Sequence, residues 1–339
     1  MAIPPRERTA RSASSTVASR TPERQPNPAR WVDARVSLIG LCAVLACKDT
    51  SSSLPALVPI PGELAFVSDR RLGQADIYLM HADGSVRQLT TSSGQDEWPA
   101  WSPDGQRIAF ESQRGVSPDS LNYDVFIMNA DGTGLVALTA DTAFDGQPAW
   151  SPKGTRIAFV STRDSGNAHI FTMTASGDSV KQLTSGSWFD AQPAWSPDGT
   201  KLAFATNRDF NDEIYVMTAD GTNLVRLTTN LAHDEGPAWS PDGAKIAFFS
   251  DRDGSNFAIY VMNADGSGVV KLTTSDAPDE IPSWSPDGAY IAFDSNGDIY
   301  IMHADGTGLL RVTSGAGVNI MARWRPAGAV LSGARTESR

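Results

Sequence analysis

Trp195-Ser196-Pro197-Asp198-Gly199-Thr200-Lys201-Leu202-Ala203-Phe204 decides the fold, because the chain repeats this stretch with small changes. Trp101, Trp150, Trp195, Trp239 and Trp284 each open a Trp-Ser-Pro-(Asp/Lys)-Gly run, and Arg323-Trp324-Arg325-Pro326-Ala327-Gly328 is a degenerate sixth copy. Successive Trp are 49, 45, 44, 45 and 40 residues apart. That period suits a unit of four short strands.

Within one unit, Pro193-Ala194-Trp195 reads as the first strand. Ser196-Pro197-Asp198-Gly199 reads as a turn, with Pro fixing φ and Gly closing it. Lys201-Leu202-Ala203-Phe204-Ala205 is the second strand, and its alternation sets Leu202 and Phe204 on the face opposite Ala203. Ile214-Tyr215-Val216-Met217 is the third, Ala219-Asp220-Gly221 a hairpin turn, and Val225-Arg226-Leu227-Thr228 the fourth.

The first unit starts at its second strand, Glu63-Leu64-Ala65-Phe66, and the last has only a first strand, around Trp324. Pairing the two gives six complete units and leaves no open edge. The expectation is an all-β, six-bladed β-propeller over residues 63–326, closed by 322–326 lying beside 64–67.

Around this body the sequence changes character. Residues 1–47 carry seven Arg against Glu7, Glu23 and Asp33, while the rest holds 21 basic and 36 acidic side chains. So acidic a body repels a phosphate backbone, which argues against nucleic acid and toward a basic partner. Residues 1–30 have too few apolar side chains to offset the entropy of ordering and are expected to be disordered, as is a tail over 327–339. The apolar run from Val36 to Ala46 is too short to span a bilayer as a helix and fits a secretory signal. Both cysteines, Cys42 and Cys47, lie in this region, so the body can have neither a disulfide framework nor a Cys-based zinc site.

Two resemblances follow from these motifs. Val44-Leu45-Ala46-Cys47 resembles the lipobox of bacterial lipoproteins, which implies a lipid on Cys47 and 48–62 as a tether. Lys48 after it resembles lipoproteins sent to the outer membrane, so the expected location is periplasm or outer membrane, with the lipid the sole membrane attachment. The pattern Trp-Ser-Pro-Asp-Gly-x-x-(Ile/Leu)-Ala-Phe, Ile-Tyr-x-Met-x-Ala-Asp-Gly, Leu-Thr is similar to the TolB-type, WD40-like PD40 propeller repeat. TolB-type proteins bind protein partners through the channel side of the propeller. The resemblance therefore implies a monomeric envelope module that captures a protein or peptide, without the α/β domain that precedes the TolB propeller.

Residues present at one position in every unit are expected to be scaffold, and those that break the repeat are candidate contacts. Asp96, Asp145, Asp190, Asp234 and Asp279 form one repeated ring, with Asn319 in the sixth place. Arg70, Arg114, Arg163, Arg208 and Arg252 form another, with Asn296 in the sixth. The expectation is that both rings share the loop face near the channel mouth, either as structural pairs or as an acidic rim for a basic peptide, and that one blade loses both charges. Trp98, Phe144, Trp188, Phe189, Phe210 and His233 break the repeat on that face and are the candidate partner contacts. The long loop 113–124 is a candidate lid. No Gly-x-Ser-x-Gly elbow, His cluster or metal-spaced His pair occurs, so neither catalysis, a cofactor nor a metal is expected. An envelope carbohydrate-binding or lyase-like propeller is the alternative.

Overall fold

The computed structural model describes residues 59–71, 73–114, 122–164, 166–254, 256–315 and 317–327. The Arg-rich leader, Cys47, residues 48–58 of the tether 48–62, nearly all of the tail 327–339 and the middle of the loop 113–124 lie outside the described residues.

The described chain forms 24 strands in chain order. The first set is β1 (Leu64–Ser68), β2 (Asp76–Met80) and β3 (Val86–Gln88). The second is β4 (Asp96–Trp101), β5 (Arg107–Ser112), β6 (Asp124–Asn129) and β7 (Val136–Ala137). The third is β8 (Asp145–Trp150), β9 (Arg156–Ser161), β10 (His169–Thr174) and β11 (Lys181–Gln182). The fourth is β12 (Asp190–Trp195), β13 (Lys201–Thr206), β14 (Glu213–Thr218) and β15 (Val225–Arg226). The fifth is β16 (Asp234–Trp239), β17 (Lys245–Ser250), β18 (Ala258–Asn263) and β19 (Val270–Lys271). The sixth is β20 (Asp279–Trp284), β21 (Tyr290–Ser295), β22 (Asp298–His303) and β23 (Leu310–Arg311), and β24 (Asn319–Trp324) is the last strand of the described residues. They pair as six four-stranded antiparallel sheets, one of which has the order β24-β1-β2-β3.

The ring therefore closes as the repeat count predicts. Leu64 pairs with Trp324, Ala65 with Arg323 and Ser68 with Asn319. The core sits between blades. Phe66, Phe110, Phe159, Phe204, Phe248 and Phe293 are at most 1% exposed, one per blade. Each packs on the ring of its third strand, as Phe204 does on Tyr215 at 6.2 Å. The Leu-Thr of the repeat also has a task. Thr90, Thr139, Thr184, Thr228, Thr273 and Thr313 accept the N–H of the second residue of each third strand at 2.8–3.0 Å. In the Ser-Pro-Asp-Gly turn, the Gly105 N–H bonds Ser102 O at 2.8 Å and the Ser102 hydroxyl donates to Asp104.

The innermost strands carry a feature the sequence does not announce. Between each innermost strand and its neighbour the register shifts by a bulge. At the bulge Trp98, Gln147, Gln192, Gly236, Ile281 and Met321 have φ between 51° and 61°. Five non-glycine residues thus hold a left-handed backbone that costs free energy, and the ring over-determines it. Among the described residues no helix is long and apolar enough to cross a membrane.

Candidate functional site

Two sets of loops make one face of the disc, and a repeated tie joins them. Gln74, Asn122, Asn167, Asn211 and Asn256, each ahead of a third strand, donate a side-chain N–H to a carbonyl in the following interblade loop, at Ser93, Asp141, Gly186, Asn230 and Asp276.

The two charged rings lie just beneath this face. Arg114, Arg163, Arg208 and Arg252 reach Asp96, Asp145, Asp190 and Asp234 at 2.7–2.9 Å. Each guanidinium also lies over two rings of its blade, as Arg252 does over Phe248 at 5.0 Å and Tyr260 at 4.9 Å. All five Asp are at most 1% exposed. Their carboxylates are taken up inside the ring, that of Asp190 also by His169 of the preceding blade at 3.0 Å, and present no acidic rim to solvent. The two Asn do not fall in one blade either. Closure sets Asn319 opposite Arg70, whose guanidinium donates to it at 2.6 Å. Asn296 follows β21, in the blade of Asp279, whose partner is the Ser275 hydroxyl at 2.8 Å. One blade has an Arg with no Asp and its neighbour an Asp with no Arg, because ring closure brings β24 with Asn319 to the blade of Arg70 while Asn296 stays in the blade of Asp279.

The repeat-breaking aromatics separate by burial. Phe144 is buried against Tyr123, ring centroids 5.8 Å apart, and plugs the seam between two blades. Phe189 is half-buried beside the core of the third and fourth blades. Trp188 lies over the Arg208 guanidinium at 5.0 Å. Trp98 is a bulge residue, so it lines the channel below the face. Phe210 is 103% exposed and holds φ 79°. Beside it, Leu231 is 97% exposed on the next interblade loop. Asn211 stitches these two loops together through Asn230 O and Ala232 O. Sequence comparison missed Leu231 because a lone leucine in a polar loop carries no periodic signal.

The channel is a cavity of about 290 Å³ walled by Trp, Pro and Ala of the innermost strands. Gln147, Gln192, Ser283 and Arg323 supply its polar lining. The Gln147 side-chain oxygen accepts the Gln192 N–H, and the Gln192 side-chain oxygen accepts the Gly236 N–H, both at 2.7 Å, so these amides are locked around the ring. Arg323 lies over Trp98 at 5.9 Å, and burial lowers its pKa against the pull of Asp294. Behind the wall sit buried acids. Burial pushes Glu97 and Asp294 each up to about 8 and raises Glu111. Glu111 accepts the Gln147 N–H at 2.7 Å, whereas neither carboxyl oxygen of Glu97 has a hydrogen-bond partner among the described residues.

Comparison with known proteins agrees with this ring. The family profile described as PD40, TolB beta propeller domain, matches residues 187–297. Over that stretch the body is similar to the TolB-type PD40 propeller repeat. A Protein TolB homolog of Chlorobium luteolum is 44% identical over 63 residues, which is 18% of this chain and 13% of that relative's length. The TolB crystal structure from Acinetobacter baumannii superposes with a TM-score of 0.68 at 24% identity, covering 78% of this chain and 67% of that one. An oligogalacturonate lyase in complex with manganese shares the fold more distantly, with a TM-score of 0.53 at 15% identity over 74% of this chain and 73% of that one.

Against the repetition of the six blades, one seam stands out. Between the fourth and fifth blades the His233 Nδ1 lies 2.7 Å from the Asp212 carboxylate, which raises the His233 pKa. Glu235 is buried next to them. His233 was legible as a break in the repeat. Asp212 lies 21 residues before it, in the preceding blade, and closeness there is a product of blade packing.

Proposed function

We propose that this protein is a non-catalytic envelope module that captures a protein or peptide partner on the loop face of its propeller. The observation that carries the reading is Phe210 and Leu231, two almost fully exposed apolar side chains on loops cross-tied by Asn211. Exposed apolar side chains on a rigid frame cost little entropy to bury, which suits a binding anchor. Trp188 and the half-exposed His233 flank them. The acidic body favours a basic partner. The TolB name of the matched relative supports partner binding in the envelope. Attachment by a lipid on Cys47, with 48–62 as tether, belongs to the same proposal.

The five repeated Asp occupy equivalent buried sites, four of them tied to Arg, and offer none of the contrast that separates a general acid from a base. The lyase-like alternative rests on a fold likeness alone. Photo-crosslinking from position 210 in envelope preparations tests the proposal, alongside Phe210→Ser/Leu231→Ser. The expected result is a discrete crosslinked partner whose co-purification drops at least about tenfold in the double variant, with the melting temperature unchanged. Equal co-purification by the double variant would overturn the reading.

A further inference from the structure

The geometry points to a site for a divalent transition-metal ion at the seam between the fourth and fifth blades, held by Asp212, His233 and Glu235. Each side chain offers one ligand atom, and these atoms lie within 4.8 Å of one another. His233 and Glu235 are two residues apart at the start of β16, so they share a face. Asp212 reaches them from the fourth blade, fixed by the Asp234 N–H bond to its carbonyl at 2.8 Å.

The other five seams show that the architecture does not require charge here. At the positions of Asp212 and His233 they carry Ala75 and Gln95, Tyr123 and Phe144, Ala168 and Phe189, Phe257 and Pro278, and Gly297 and Val318. Each seam is closed by the same backbone bond, from Asp or Asn at the start of the innermost strand. A neutral pair therefore suffices to join two blades. At this seam alone, among the described residues, a carboxylate and an imidazole replace it, beside Glu235, whose place is also held by Glu in two other blades, at Glu97 and Glu280. Asp212 and Glu235 are each 4% exposed, and buried carboxylates persist where they are paired or bind metal. The carboxylates outnumber the imidazole, so a dication balances the cluster, taking the place of the proton shared by His233 and Asp212.

One nitrogen and two oxygen ligands suit zinc, manganese or ferrous iron better than calcium, which takes about six to eight oxygens. Three protein ligands leave coordination positions open to water or an incoming donor. That opening lies toward His233, whose side chain is 39% exposed, and thus toward the Phe210 and Leu231 loops.

The test is titration of the untagged, chelator-stripped full chain with Zn²⁺ by calorimetry and with Co²⁺ by absorbance. One equivalent should bind, with a Co²⁺ d–d band. Two variants import residues that other seams already carry: His233→Phe, as at Phe144 and Phe189, and Glu235→Ala, as at Ala191. Each should weaken binding at least about 100-fold, beyond what outer-shell changes do. A wild-type chain that takes up no cation, or wild-type affinity in either variant, overturns the site. The readout uses metal alone, so it stands or falls separately from partner capture.

Discussion

Arg163 is held by Asp145 at 2.7 Å while it lies over Phe159 and Phe171. Removing it strands a carboxylate that is fully buried, so Arg163→Met is expected to cost about 2–4 kcal/mol in chemical denaturation. Asp145→Asn should cost about 1 kcal/mol or less. Burial already pushes the Asp145 carboxyl up despite Arg163, and the chain uses Asn319 in this role with a 2.6 Å bond from Arg70. Equal losses from the two variants would contradict the pairing argument. Glu97 is the second test at this scale. Burial, aided by Asp96, holds its pKa at about 8, whereas the unfolded chain releases that proton near the model-peptide value of about 4.3. Between these values the folded state binds the extra proton, so this group makes stability fall as pH rises from about 4.3 to 8. Glu97→Gln keeps the shape and removes the titration. It should raise stability by about 1–3 kcal/mol at pH 8, with the gain shrinking toward pH 5. A melting-temperature profile parallel to the wild type across that range would refute it.

At the scale of elements, β24 is the strand on which closure depends. It supplies the innermost strand of the first blade, and the Arg323 carbonyl accepts the Trp101 indole N–H at 3.1 Å in the second. A chain ending at residue 318 leaves the β1 edge open and uncovers Leu64 and Phe66, both 0% exposed in the intact ring. Loss of the cooperative melting transition is expected. Trp324→Ala, which keeps the strand, should instead cost about 3–5 kcal/mol and remain cooperative. A truncated chain that melts like the full one would mean the ring does not need its clasp. The bulges belong to this scale too. They turn Trp98, Gln147, Gln192 and Ile281 into the channel wall, and a simple strand alternation does not foresee that.

For the whole molecule, charge is the property that reaches beyond any one blade. Residues after 47 carry 36 acidic against 21 basic side chains, while the Asp ring under the loop face is buried and largely paired. Attraction of a basic partner must therefore come from the diffuse field of the body and not from a local rim. Such a field is screened over about 8 Å at physiological salt. Association with the captured partner is expected to slow about tenfold from low to high salt, with a smaller change in dissociation rate. A salt-independent association rate, measured by surface plasmon resonance, would remove electrostatics from the recognition.

The repeat by itself determined the blade count, the strand order and the clasp. Trp-Ser-Pro-Asp-Gly encodes local turn chemistry, and a unit with its first strand missing at one end and present at the other permits one closed arrangement. It also picked out the Arg and Asp rings as repeated features, and left open whether they were structural pairs or an acidic rim. Tertiary structure decided which exceptions matter. Phe144 and Phe210 are both aromatic breaks in the pattern, yet one fills a seam and the other stands in solvent. Asp212, His233 and Glu235 meet through two different blades, and Asn319 faces Arg70 across 249 residues of chain. Periodicity reports what each blade repeats, whereas burial and contact across a seam depend on how two blades pack, and no single repeat contains that information.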